Sequence, residues 1–180
     1  MWQVHRLYVV ILRMSLAPLL ATIKGWPISA AVRGDLPGTE WLFPIIETLH
    51  VIALATVLGT IVMVDLRLLG IASRESAVSQ LSREILPWTW TAWCAAAVFG
   101  TLMFMSNATA YAGNLQFRLK FVCMGLAALN MLSFHFGPYR RVALWDSGEP
   151  PPSAKLAGAL SLALWIGVVF FGRWTGFTMT

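Results

Sequence analysis

An all-α integral membrane protein, an up-and-down four-helix bundle preceded by N-terminal interfacial amphipathic helices, is the fold class this sequence predicts. Three observations carry it. The 180 residues are 58% hydrophobic and only 12% charged, far from the mixture of a soluble globular chain. Four apolar runs each approach the ~20 residues a helix needs to cross a bilayer. Turn-forming clusters separate those runs.

The runs are 44–64, 87–106, 118–136 and 155–172. Pro44 and Pro87 are expected in the first turn of a span, where a missing N–H does little harm. The stretch 65–86 reads as a polar loop carrying Asp65, Arg67, Arg74, Glu75, Arg83 and Glu84. The later connection is marked by Gly137-Pro138 and by Gly148-Glu149-Pro150-Pro151-Pro152. Two units follow: an interfacial segment over 1–43 and a transmembrane bundle over 44–180.

The first unit mixes apolar residues with Arg6, Arg13, Lys24 and Arg33, and holds Trp2, Tyr8, Trp26 and Trp41. Aromatic rings settle at a membrane interface and basic side chains reach headgroups, so one or two interfacial helices are expected there. Its longest apolar stretch, 7–23, is interrupted by Arg13 and Pro18 and has no clear cleavage site, so insertion is expected to rely on the spans themselves. A fifth span over 7–23 is the alternative. The cluster Arg33-Gly34-Asp35-Leu36-Pro37-Gly38 is expected to separate this unit from the bundle.

The net charge of +5 is scattered over span edges with no Lys/Arg stripe, which argues for lipid headgroups and against nucleic acid. By the positive-inside rule, 65–86 and 137–154 face the cytoplasm and both termini lie outside. Cys94 and Cys123 fall at different depths and are expected as small buried apolar residues rather than a disulfide. Ala55 with Gly59, and Cys123 with Ala127, place small residues at helical spacing and predict close helix packing. Asn130, in mid-span, is expected to bond across helices.

An ionisable residue inside a span is costly to keep and marks a candidate site. His50 is such a residue. Counting depths brings His50, one turn after Glu47, to the same half of the bundle as Lys120, Met103 and Met105. His135 lies fifteen residues after Lys120, about 22 Å along the same helix, too far to join them. Three chemistries are compatible with the set. A b-type haem would take His50 with Lys120, Met105 or Met103 as second ligand; Arg173, just past the last span, would reach a propionate of a haem on the outer side, or else snorkel to the interface. A copper ion would take His50 with the thioethers. A polar cluster of Glu47, His50 and Lys120 would only fix helix register. No phosphate-binding loop, nucleophile elbow or paired-cysteine motif is present.

The stretches Trp41-Leu42-Phe43-Pro44-Ile45-Ile46-Glu47-Thr48-Leu49-His50, Asp65-Leu66-Arg67-Leu68-Leu69-Gly70, Leu86-Pro87-Trp88-Thr89-Trp90 and Phe117-Arg118-Leu119-Lys120, with Asn130, resemble an uncharacterised bacterial family of small four-helix integral membrane proteins. The likeness covers most of 41–175. More distantly, a histidine early in one span and a lysine opening a later one is similar to HemJ-type protoporphyrinogen oxidases and CopD-like copper-resistance membrane domains. The HemJ resemblance implies that His50 and Lys120 serve haem b binding and activity. The long N-terminal segment departs from that type.

The functional expectation is therefore a haem-binding bundle of the bacterial inner membrane that carries electrons between the quinone pool and an external partner. The alternatives are a cofactor-free accessory subunit packed against other membrane-complex subunits, copper handling, and HemJ-like protoporphyrinogen oxidation.

Overall fold

The computed structural model describes residues 16–73 and 75–179. Expectations for 1–15, including most of the alternative span at 7–23, and for Arg74 lie outside the described residues. The described residues are all helix and connections. We label the helices α1 (16–24), α2 (Pro27–Arg33), α3 (Leu42–Leu68), α4 (Val78–Ser106), α5 (Ala108–Gly113), α6 (Leu115–Phe136) and α7 (Pro152–Thr178). A 3-10 turn, Pro138–Leu144, precedes α7.

α3, α4, α6 and α7 are long and apolar enough to cross a membrane. Large apolar side chains such as Val51, Ile52, Phe121, Val122, Ile166 and Phe170 remain exposed on them, as helices whose outer faces meet lipid require. The four-span expectation holds. The loop expected over 65–86 is corrected: α3 runs on to Leu68 and α4 starts at Val78, leaving a connection of only 69–77. Gly70, at φ 72°, turns the chain there in a conformation side-chain-bearing residues avoid.

Pro87 is corrected with it, since it lies inside α4 rather than in its first turn. Its ring removes the hydrogen bond to the carbonyl of Arg83. Hydropathy placed the bilayer edge near residue 87, whereas the helix continues two turns beyond it, through the exposed Gln80, Arg83 and Glu84.

Packing is pairwise. α4 lies against α3, α6 against α7, and α3 meets α7, while α4 and α6 scarcely touch. The close approaches come at glycines, which let backbones near one another. A Cβ on Gly158 would stand 3.1 Å from the Asp65 carbonyl oxygen and 3.2 Å from Leu68 Cβ. The expected pair Ala55 and Gly59 is corrected: both are exposed, and a Cβ on Gly59 would meet nothing within 4 Å. Spacing identified a small-residue face but not which way it points. Ala127 is buried and Cys123 Sγ lies 3.2 Å from where a Gly167 Cβ would be, so that second pair does pack. Cys94 is exposed, against expectation, and both thiols are free. Asn130 bonds across helices as expected, donating from Nδ2 to Ala157 O at 2.9 Å.

The N-terminal region is tied to the bundle rather than merely resting beside it. Ser29 and Val32 of α2 are buried, and Arg33 Nη1 donates to Ser106 O at the end of α4, 2.9 Å away. The turn cluster after Arg33 is itself held by an ion pair, Arg33 to Asp35 at 2.7 Å.

The opposite end is closed by the strap of residues 138–148. Tyr139, Val142 and Trp145 pack on a core of Leu68, Val78 and Ala154. Asp146 caps α4 from a distance. Its backbone oxygen accepts from Val78 N at 3.0 Å, and its carboxylate accepts from Ser79 N at 2.8 Å and Ser79 Oγ at 2.6 Å. Two N–H groups that no helical turn can satisfy thereby gain acceptors, and the negative charge sits at the positive end of the helix dipole.

The bonds from the Ser79 side chain and backbone hold the Asp146 carboxyl below the ordinary carboxylate range. A depressed carboxylate stabilises the fold above its unfolded pKa and loses that contribution as pH falls through its folded one. Thermal unfolding followed from neutral to acid pH should therefore show strap stability constant at neutrality and falling below about pH 4. Asp146→Asn should be less stable at neutrality and lack this acid step. An unchanged acid profile in the variant would refute the assignment.

Candidate functional site

His50 lies in the third turn of α3, half-buried against α4. Its Nδ1 is 2.8 Å from Ala96 O. A carbonyl only accepts, so Nδ1 carries the proton, and in the neutral ring Nε2 is left with the lone pair. Gly100, one turn after Ala96, makes the approach possible: a Cβ there would stand 2.9 Å from His50 Cε1. The imidazole thus lies against bare backbone, with orientation and tautomer both fixed.

Lys120, in the second turn of α6, joins from the other helix pair. Its aliphatic stem runs over Gly172 of α7, where a Cβ would be 3.5 Å from Cδ, and its amine interacts electrostatically with His50. The two thus lie in the same half of the bundle, where the depth count put them. Of the two methionines, both half-buried, Met103 lies three residues beyond Gly100 and within about 60° of its face, while Met105 is turned about 140° away. Met103 is the one that shares the His50 side of α4.

Glu47 is exposed one turn before His50, and its charge acts on Tyr111 of α5. Burial first, and Glu47 second, push the Tyr111 hydroxyl pKa upward. The Tyr111 ring packs on Phe117 at 5.2 Å and Phe104 at 6.2 Å, an aromatic cover at this end of the bundle. Arg173 is exposed and its guanidinium lies 5.0 Å from the Phe177 ring centroid. It thus occupies a cation–π contact. His135 stands at the far end of α6 with its ring 5.0 Å from Tyr139, well removed from His50 as expected.

Sequence reasoning missed a second polar site in the other half of the bundle. A cavity of about 370 Å³ lies among the spans, lined from all four by residues including Asp65, Trp90, Trp93, Phe134 and Trp165. Asp65 is only 5% exposed. The Ser161 hydroxyl bonds its carboxyl, yet Oδ2 has no partner. The available signal was an acid two residues before an arginine at the end of an apolar run, which places the two on different helix faces.

Among the described residues no three His, Cys, Asp or Glu side chains form a metal-holding group. Fold and sites together define a multi-pass helical membrane protein with a histidine–lysine pair in one half of its bundle and a buried carboxylate in the other. The chain belongs to a family of unknown function, DUF6644, which matches residues 42–178. That match begins at the first residue of α3 and ends at the last of α7, so the family is defined by the bundle. No curated protein and no solved structure matches the chain.

Proposed function

We propose that the protein holds one b-type haem through His50 in a bacterial inner membrane and carries electrons between the quinone pool and an external partner. The observation that supports this reading is the hydrogen bond from His50 Nδ1 to Ala96 O. Ligating histidines commonly donate their other ring N–H to a backbone carbonyl, which fixes the tautomer and raises ligand basicity. Lys120 by its nitrogen, or Met103 by its thioether, would be the second protein residue to hold the iron. A bound haem would supply a one-electron couple. The protein's own part is to orient the imidazole and, through the Tyr111 cover, limit water at that end.

A reduced-minus-oxidised spectrum of protein made with haem available tests the reading. Soret and α bands are expected in the wild type and absent in His50→Ala. Gly100→Val, which drives a side chain into the imidazole, should lose most of the haem while retaining helical circular dichroism. Lys120→Ala and Met103→Leu should tell the second ligand by which one shifts the α band. A colourless wild-type protein would sink the proposal and leave the cofactor-free accessory subunit standing. Copper in elemental analysis of that colourless protein would instead favour metal handling.

A further inference from the structure

We propose that the cavity between α4 and α6 binds a lipophilic organic ammonium ion, a flat apolar body carrying a cationic N–H group, with Asp65 as its counter-ion. A carboxylate withdrawn from water needs a cation or several donors. Asp65 has the Ser161 hydroxyl and, on Oδ2, nothing. The nearest arginine in sequence, Arg67, is spent elsewhere: its Nε donates to Ser76 O at 2.8 Å and its Nη2 to Asp146 O at 3.1 Å.

Three of the cavity's other polar side chains give protons to backbone. Thr60 donates to Thr56 O and Val57 O, Thr89 to Ile85 O, and Asn130 to Ala157 O. Among the described residues the buried side-chain polar atom left without a partner is an acceptor, Asp65 Oδ2. A quinone, whose polar atoms are themselves acceptors, is a poor complement to it. An ammonium is a good one.

The walls point the same way. Trp90 and Trp93, edge to face at 6.0 Å, stand with Trp165, Phe134 and Tyr139 around the cavity, and aromatic faces attract cations as well as flat apolar rings. A volume of about 370 Å³ is at the small end of the range for small-molecule sites. Because α4 and α6 scarcely touch, the opening lies between two lipid-facing helices, so the ligand arrives from the bilayer and has to be lipophilic. The site does not depend on the haem reading, since His50 lies in the opposite half.

The test is isothermal titration calorimetry of the full chain in phosphatidylcholine nanodiscs, which carry no anionic lipid, with naphthylmethylammonium as probe. Saturable one-to-one binding is expected. The neutral naphthalenemethanol, and the ammonium on Asp65→Asn, should each bind about tenfold weaker or worse, as for loss of one partner of a buried charge pair. Trp90→Leu, which removes a half-exposed wall residue, should weaken the ammonium several-fold with unchanged thermal unfolding. If Asp65→Asn fails to fold, the alcohol and Trp90→Leu comparisons decide alone. The proposal is overturned if the wild type binds no ammonium saturably, if the alcohol binds equally well, if a folded Asp65→Asn is unaffected, or if naphthoquinone binds more tightly than the ammonium.

Discussion

Replacing Arg67 by alanine is expected to cost on the order of 3 kcal/mol or more, because hydrogen bonds to a charged group are worth about 1.5–3 kcal/mol each. The guanidinium is 1% exposed and donates to three backbone carbonyls, those of Ser76, Asp146 and Gly148, at 2.8, 3.1 and 3.4 Å. Its charge also acts on the Asp146 carboxylate that caps α4. Alanine would take the arginine's donors from the Ser76 and Gly148 carbonyls, leave Asp146 O with Val78 N, and open a void the size of the side chain. Arg67→Lys should be intermediate, since a single ammonium cannot reproduce the planar fork that reaches three acceptors. Unfolding in detergent micelles and protease cleavage within 138–150 measure the two consequences. A variant within 1 kcal/mol of wild type, with the strap still protected, would contradict this account.

The second large effect is expected at Gly158. An added methyl there would lie 3.1 Å from the Asp65 carbonyl oxygen and 3.2 Å from Leu68 Cβ, so α7 has to move off α3. Overpacking of this kind costs about 1–3 kcal/mol for small additions. Gly158→Leu should exceed it and disturb the cavity floor at Ala157 and Ser161. The control is Gly59→Ala, where nothing lies within 4 Å and the change should be neutral or slightly stabilising. Equal damage from both alanine variants would mean that the exposed Gly59 face is itself a packing surface, contrary to the arrangement found here.

What the sequence made legible, and what it hid, follows from the range of the physics involved. Spans are local properties of apolar runs, and the four among the described residues were readable. So was the shared depth of His50 and Lys120, because depth along a helix is simple counting. Asn130 was readable too, since an amide in hydrocarbon has to find a partner. Helix ends were not. Asp65, Arg67, Arg83 and Glu84 look like loop residues, but a helix can continue past the bilayer edge, and Arg67 is buried only because a strap more than seventy residues away folds over it. The cavity was hidden for a related reason: it exists because α4 and α6 meet only sparsely, and sparse contact between two distant segments leaves no local trace. Glycines behaved likewise. Gly100 and Gly158 matter through what stands opposite them, an imidazole and a helix backbone, whereas the more regular Ala55–Gly59 spacing faces outward.

The acceptors of Arg67 have a consequence for biogenesis. Ser76 lies nine residues downstream of it, but Asp146 and Gly148 lie 79 and 81 residues downstream. As the chain leaves the ribosome, the α3–α4 hairpin can be inserted while its arginine is only partly satisfied. The latch closes after the third span has crossed and the strap has emerged, so insertion of the first pair of helices precedes its locking. The same contact that stabilises the finished bundle therefore reports that three of the four described spans are already in the membrane.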